Sequence, residues 1–525
     1  MLTRITGAKC IGIDAVPVTV EVDINAGIGI HLVGLADVAV KESLLRIMTA
    51  LQSAGFRIPG RKVVINLAPA DMHKRGSGYD LPIALGILAA SGQAALPDLD
   101  RYLVMGELGL DGSIRKVAGA LPMAELAGRL GLEGCLMPEE SAREASECPD
   151  LRIHAVRRLP EVLHILSGRT GALPVPAPDP APEESPDAGR MDFSEIVGQE
   201  TAKRGLEIAA AGCHNVILVG PQGCGKSSLA KALPDTLPPM SREEAVLTSK
   251  IYSVAGIGSR NGLIRQRPFR APHHSASLAA IVGGGAGENI LPGEISLATN
   301  GLLFLDEFTL MPKAVTEALR APLEDRKITV SRLRAKVEYP ASFLLVAAAN
   351  PCPCGNFGDG DRCTCTPGQR QSHLLRLSGP ILDRIDIQLF LKSVDAARLV
   401  GRAGAEPPRE SSATVARRVR AARAIQQERL RQDGIRCNAE MNARQMNRHC
   451  TLSAECRTVL ENLIDRTGLS ARAFGRVVRL ARTIADLEAA AVLQAGGPLS
   501  VGPIRPDHLL EAAGYRFLDR RNLFP

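Results

Sequence analysis

Nine consecutive residues, Gly220-Pro221-Gln222-Gly223-Cys224-Gly225-Lys226-Ser227-Ser228, have types and spacing that can handle phosphate. They fit G-x-x-x-x-G-K-[ST], a loop whose glycines let the backbone bend so that successive N–H groups face phosphate oxygens. The following helix adds its partial positive charge at the N-terminus. Lys226 would reach the β- and γ-phosphates and Ser227 would ligate Mg²⁺, so ATP with Mg²⁺ is the expected cofactor pair. A chance glycine turn is the competing reading. An apolar strand before the loop and a helix after it weigh against that.

A second run, Leu302-Leu303-Phe304-Leu305-Asp306-Glu307, reads as a buried strand that delivers carboxylates to its C-terminal edge, where open α/β sheets bind ligands. Asp306 would position Mg²⁺ and Glu307 would polarise the attacking water. A third strand, Phe343 to Ala349, ends in Asn350, whose amide can bond both a γ-phosphate and that water. Asparagine also commonly caps strands, so both readings of Asn350 stay open.

Two residues beyond Asn350 begins Cys352-x-Cys354-x8-Cys363-x-Cys365, in a glycine-rich loop with little apolar content of its own. Four thiolates converging there match a structural zinc site, although C-x-C is tighter than the usual C-x₂₋₄-C. Unliganded cysteines, or redox and iron–sulfur chemistry, are the alternatives. The other eight cysteines show no comparable spacing. His273 and His274 are adjacent and point different ways, which favours a structural or nucleotide-sensing role over shared metal ligation.

These groups must be positioned by a chain of 525 residues, too long for one compact unit. Hydrophobic residues at 45% and charged residues at 23% are ordinary for a globular protein and exclude wholesale disorder. The longest nearly uncharged stretch, Leu81 to Leu96, is too short to span a bilayer, and the N-terminus lacks a signal-peptide core. A cytoplasmic location with reduced or metal-bound cysteines follows as the expectation. Residues 172–190 hold six prolines and four acidic residues and read as an extended linker. It separates a mixed α/β domain, 1–171, from a central domain, 191–394, whose alternating strands and helices suit a parallel sheet. Residues 395–525 read as helical, with Ser411 or Ser412 as N-cap of the first long helix.

In the first domain, Val16, Val18, Val20, Val22 and Ile24 alternate as in a half-buried strand. Val38 to Ala54 has helical spacing, Lys62 to Leu67 is a short strand, and Leu81 to Ala90 an apolar helix. In the central domain, strand-like His214 to Val219 precedes the glycine loop.

The net charge of +7 is unevenly placed: Leu391 to Pro525 carries 23 Lys and Arg against 14 Asp and Glu, leaving the rest slightly acidic. Within the last domain Arg417, Arg418, Arg420 and Arg423 lie along one helix, with Arg429 and Arg431 beyond, either a solvated face or a phosphate-tracking one. Arg326 to Tyr339 reads as a hairpin, its apolar alternation changing parity near Ser331, with Arg332, Arg334 and Lys336 on one face. Three such cations would follow DNA phosphates without reading sequence. A charged edge strand that blocks aggregation is the plain alternative. Aromatics at 3%, with no tryptophan, disfavour base stacking as the way a strand would be held.

With these blocks in order, the chain resembles the AAA+ ATPases, and within them the magnesium-chelatase-like ComM/YifB family, over essentially its whole length. The resemblance rests on DVAVKESLLRIMTAL, VVINLAPAD, IVGQE, RPFRAPHHSAS, PGEISLATNGLLFLDE, LSGPILDRIDI and LSARAFGRVVRLARTIADL. It implies that Arg384 is an arginine finger acting in a neighbouring subunit's site, that Arg472 is the sensor-2 arginine of the helical lid, and that Val197-Gly198-Gln199 packs beside adenine. Read without the resemblance, Arg384 beside Asp383 and Asp386 is a surface ion pair. The hairpin resembles the presensor-1 hairpin of ring helicases, which points into the pore.

The first domain resembles the proteolytic domain of Lon-type proteins through GSGYDLPIALGILAA and MGELGLDGSIRKVAGALPMAELAGRLG. Gly78 stands where that family has its serine nucleophile and Pro122 where it has its lysine, so a non-proteolytic scaffold is expected. Ser77, Lys74 and Lys116 are the nearby substitutes. The function implied is an ATP-driven DNA motor, a homo-hexameric ring for branch migration in natural transformation, with recombinase-associated proteins as partners. A chelatase-type motor that remodels a metal-inserting partner and a chaperone-like assembly factor are the alternatives.

Overall fold

The computed structural model describes residues 2–35, 37–74, 76–149, 151–167, 174–175, 191–259, 262–285, 290–332, 335–394, 409–467, 470–494 and 502–519. Of the proline-rich linker only Pro174 and Val175 fall among them. None of the helices in these residues is long and apolar enough to cross a membrane.

The first domain grows from valine alternation. Strand β1 (Thr3–Ile11) turns at Gly12, with a positive φ of 63°, into β2 (Asp14–Asn25), and the two pair antiparallel from Thr3↔Val22 to Ile11↔Asp14. Val18, Val20 and Val22 are fully buried, as a period of two on a half-covered sheet requires. With β3 (Ile30–Val33), β4 (Lys62–Ala68), β5 (Tyr102–Val104), β6 (Gly134–Pro138) and β7 (Arg152–Val156) they form a seven-stranded mixed sheet ordered β3-β4-β2-β1-β5-β6-β7. Helix α1 (Val38–Ser53) starts where Asp37 Oδ1 accepts from the Val40 amide at 2.9 Å. Helix α2 (Asp80–Ala90) is buried from Asp80 to Leu88. It lies so close to the sheet that a side chain at Gly86 would run into Val22 and Ile5.

The central domain holds β8 (Val216–Val219), β9 (Phe269–Arg270), β10 (Leu302–Leu305), β13 (Leu344–Ala349) and β14 (Ile387–Phe390) in one parallel sheet ordered β9-β10-β13-β8-β14. Every residue of β8, β10 and β13 is buried, because helices α4 (Glu200–Gly212) and α5 (Lys226–Ala232) and the lid cover one face of the sheet while Ile281, Ile295, Phe308, Val315 and Leu374 pack on the other. A further helix, α6 (Arg242–Val254), follows α5 in the chain. Strand β8 begins at Val216, two residues later than its apolar run suggests, since the His214 amide still donates to the Ala209 carbonyl of α4 at 3.1 Å instead of joining the ladder, while the buried His214 ring pairs with Thr483 Oγ1 at 2.7 Å.

Strands β11 (Lys327–Arg332) and β12 (Ala335–Pro340) make the expected hairpin, with two corrections. Arg332 pairs with Ala335, so the ladder runs past Ser331 and the chain does not reverse there. Arg332 and Lys336 therefore lie on opposite faces: Arg332 continues the buried row of Ile328 and Val330, whereas Lys336 sits across from Ser331 beside Thr329 and Glu338. A two-residue connection pairs odd with even positions, so the parity change marks the strand reversal without locating it. Both cations are exposed; Arg334 lies outside the described residues.

The lid comprises α7 (Ser412–Leu430), α8 (Ala454–Thr467), α9 (Ala471–Gln494) and α10 (Pro506–Gly514). Ser411 is the N-cap of α7, its Oγ accepting from the Thr414 amide. One apolar cluster runs without a break from Leu218, Val346 and Leu302 in the sheet to Val419, Leu480 and Ile484 in the lid. Much of the lid's positive charge is spent inside the molecule. Arg418 pairs with Glu207 and Glu410, Arg429 with Asp486 at 2.6 Å, and Arg423 is buried with its guanidinium on the Ala210 carbonyl and Cys213 Sγ. The arginine row on α7 is thus not one solvated face, although Arg417 and Arg420 stay exposed.

The first domain docks on the central one through helix α3 (Ala120–Arg129) and α6: the Gly119 amide donates to the Ser253 carbonyl at 2.9 Å, and Lys250 bridges Asp14 and Glu125 at 2.8 Å each. Where a Lon-type dyad would sit, Ser77 donates to Glu107 and buried Lys74 to the Pro69 carbonyl. Lys116 lines the same cavity as Ser77. The serine hydroxyl is thus bonded to a carboxylate.

Candidate nucleotide site

The C-terminal ends of β8, β10 and β13 converge the predicted groups. Gly223 and Gly225 have φ of 74° and 93°, the left-handed region, and a side chain at either would meet nothing within 4 Å, so the loop leaves an open cradle on that side. Gly220 is different: there a Cβ would press the Leu391 carbonyl oxygen at 2.8 Å and Cys224 Sγ at 2.9 Å. Lys226, in the first turn of α5, is buried and donates to the carbonyls of Gly220 and Pro221 at 2.7 and 2.8 Å and to Asn350 Oδ1 at 3.1 Å. Burial makes this ammonium more acidic and pushes its pKa below the ordinary lysine value, with Cys224 and Asp306 opposing the shift. Ser227 Oγ donates to Asp306 Oδ2 at 2.9 Å, and Ser228 follows half-buried in the same turn. The two expected Mg²⁺ ligands, 79 residues apart, therefore meet. An open glycine cradle, a buried cation at its base and a hydroxyl–carboxylate pair fit a magnesium triphosphate.

Beside Asp306 the backbone of Glu307 adopts φ 49°, and its amide donates to Asp306 Oδ1 at 2.9 Å. This turns the Glu307 carboxylate off the strand axis, where His274 Nδ1 meets Oε2 at 2.8 Å. His273 pairs with Ser275 Oγ at 2.7 Å, so the two histidines have separate hydrogen-bond partners, but they do not point different ways: their ring centres lie 4.1 Å apart with the planes tilted by 36°. The contact between His274 and Glu307 was invisible in sequence; the signal available was only that the HHS block follows edge strand β9. If His274 positions the carboxylate, His274→Ala should lower turnover about 10- to 100-fold at unchanged nucleotide affinity, with His274→Gln recovering part because its amide can donate to the same oxygen. A rise in turnover would show that the contact restrains Glu307 instead.

Gln199, itself at φ 61° after Gly198 at φ 65°, spans the back of the loop: its amide donates to the Cys224 carbonyl at 3.0 Å and the Lys392 carbonyl at 2.8 Å. Val197 and Gly198 are thereby carried to the loop's flank. Among the described residues Arg384 is bonded to none of this set. It pairs with Glu324 and donates to the Pro380 carbonyl at 2.8 Å, so its ion-pair partner is neither neighbouring aspartate. Arg472 is exposed in the first turn of α9.

Asp386 belongs to the scaffold. It is buried, with Arg476 at 2.5 Å, His214 at 3.6 Å and the Asn215 amide at 3.0 Å. Burial alone would raise its carboxyl, but Arg476 and His214 overcome this and hold it far below the ordinary range. A depressed folded value contributes stability above the unfolded carboxyl's pKa of about 4, and this is lost progressively at lower pH. Asp386→Ala should cost about 3–5 kcal/mol in denaturant unfolding, since it removes the carboxylate that partners the half-buried Arg476 and the buried His214. The deficit should shrink in acid, where the wild-type carboxyl loses its advantage.

Comparison with known proteins follows this geometry. The magnesium chelatase subunit ChlI model matches residues 192–399, a second ChlI model matches 20–141, and the ChlI C-terminal model matches 409–516. The protein YifB of Escherichia coli is 42% identical over 97% of this chain and 96% of its own length. The competence protein ComM of Haemophilus influenzae is 40% identical over 97% and 96%. The 38 kDa magnesium-chelatase subunit of Rhodobacter capsulatus is 29% identical over 30% of this chain and half of its own length. Agreement with YifB and ComM across all three domains, together with the chelatase-type central and C-terminal regions, establishes that the chain belongs to the ComM/YifB family of magnesium-chelatase-like AAA+ proteins.

Proposed function

We propose that the protein is an ATP-driven DNA motor, a branch-migration helicase of ComM type that works in recombination during natural transformation as a homo-hexameric ring. The observation that carries the reading is the convergence of Lys226, the Ser227–Asp306 pair, Glu307 and Asn350 on one sheet edge. Binding alone does not require Glu307 next to the metal ligands. Lys226 and the loop amides hold the phosphates, and Mg²⁺, held by Ser227 and Asp306, neutralises charge on them. Glu307 takes the proton of the attacking water, and Asn350 orients that water. Arg384 reaches the next subunit's site and Arg472 closes from the lid. Arg332, Arg334 and Lys336 contact DNA phosphates, with Arg332 and Lys336 on opposite faces of the hairpin. A structural Zn²⁺ held by Cys352, Cys354, Cys363 and Cys365 completes the cofactor set.

Agreement with ComM over 97% of this chain favours this over the chelatase-type motor, since the Rhodobacter capsulatus chelatase subunit aligns with 30% of it. Steady-state ATP hydrolysis with and without single-stranded and forked DNA, at two salt concentrations, is the test. Stimulation that weakens at higher salt is expected from phosphate contacts. Intact hexamers that no DNA stimulates would overturn the motor reading.

A further inference from the structure

The cysteine loop touches the phosphate-binding loop. The Sγ atoms of Cys352, Cys354, Cys363 and Cys365 all lie within 4.8 Å of one another, with Cys352–Cys354, Cys352–Cys363 and Cys354–Cys363 at 3.4, 3.8 and 3.7 Å. Tetrahedral zinc with bonds of about 2.3 Å requires sulfur separations of about 3.8 Å, so the cluster is already close to the geometry that the ion would impose. Phe357 packs edge-on against Phe390 and under the Arg370 guanidinium, 4.3 Å from its ring centre.

What the loop holds in turn is the nucleotide site. Gly355, at φ 77°, accepts the Gln222 amide on its carbonyl at 3.0 Å, and a Cβ at Gly355 would meet the Gln222 side chain at 2.9 Å. The loop begins two residues after Asn350, whose Oδ1 receives Lys226. Phe390, which anchors its far side, leads into Leu391 and Lys392, the first packed on Gly220 and the second bonded by Gln199. The thiol cluster thus braces the roof of the phosphate loop, its lysine acceptor and its rear wall.

We propose that the four-cysteine loop is a metal-dependent clasp on the phosphate-binding loop, so that zinc occupancy sets nucleotide affinity. Zinc stiffens the segment between Cys352 and Cys365 and with it the Gly355 carbonyl that fixes Gln222. By linkage the coupling is reciprocal: bound nucleotide tightens zinc by the same factor. The inference rests on the nucleotide-binding reading above.

Its test needs no turnover. Full-length protein is stripped with a chelator under reducing conditions and reloaded with Zn²⁺. Zinc per chain, affinity for ADP by displacement of a fluorescent nucleotide, and affinity for zinc with and without ADP are then measured. One zinc per chain is expected, with reloading tightening nucleotide binding about fivefold or more, and ADP tightening zinc by the factor that zinc tightens ADP. Cys354→Ser with Cys363→Ser should abolish zinc binding and give the weak affinity permanently. Gly355→Ala, which keeps all four thiols, should retain one zinc per chain, its own control for an intact loop, while nucleotide affinity stops responding to the metal. If zinc binds and nucleotide affinity is the same with and without it, the clasp is overturned and the nucleotide reading stands. If no zinc binds, the clasp also falls. If zinc binds and no nucleotide does, both readings fall together.

Discussion

Glu307→Gln should lower ATP hydrolysis by about two to four orders of magnitude, the usual contribution of a positioned general base, while leaving nucleotide affinity within about twofold. The asymmetry follows from geometry. Lys226, Ser227 and Asp306 bond one another or the loop carbonyls, and none of these bonds uses the Glu307 carboxylate. Glu307 is turned away by its left-handed backbone and by the bond from its amide to Asp306, so its carboxylate faces the space beside the ligand pair instead of joining it. Glutamine keeps the shape and the capacity to meet His274 but cannot accept a proton. Single-turnover hydrolysis alongside titration with a fluorescent nucleotide separates the two effects. Unchanged turnover would mean that another carboxylate serves as base.

Arg384→Ala should be nearly as severe, about a thousandfold in turnover, because an arginine supplied from a neighbouring subunit stabilises charge only as the phosphoryl group transfers. In its own protomer Arg384 pairs with Glu324 and is bonded to no residue of the phosphate loop, as expected of a group whose target lies elsewhere. The sharper readout is mixing. Arg384→Ala subunits keep a complete site and lack the finger; Glu307→Gln subunits lack the base and keep the finger. Each is inactive alone, but a mixed ring places some intact sites next to intact fingers, so activity should return on mixing. Loss of activity that tracks with a lowered unfolding midpoint, with no recovery on mixing, would reduce Arg384 to a structural ion pair.

The legibility of this site in sequence was uneven, and residue by residue the reason is the same. Gly220 to Ser228 announced itself because a phosphate loop is contiguous: the glycines, the lysine and the helix start are local requirements of one turn. Leu302 to Glu307 and Phe343 to Asn350 were readable as strands because burial on both faces demands unbroken apolar runs. The β11–β12 hairpin was legible as a reversal but not in its register, since parity locates a reversal only to within a few residues. The α7 arginines were ambiguous because a guanidinium paired with Glu207 and one in solvent leave the same trace in a sequence.

By itself the sequence determined the order of the domains, the phosphate loop, the carboxylates that follow it and the four-thiol loop, all of which are dictated by neighbours within one element. Only the tertiary structure decided that Ser227 meets Asp306, that His274 holds Glu307, that Asp386 anchors the lid through Arg476, and that Gly355 grips Gln222. Those contacts join segments brought together by the parallel sheet, whose strands are adjacent in space in the order β9-β10-β13-β8-β14 and not in the order of the chain. Local spacing carries no record of that order, so the pairs it creates are set by packing alone.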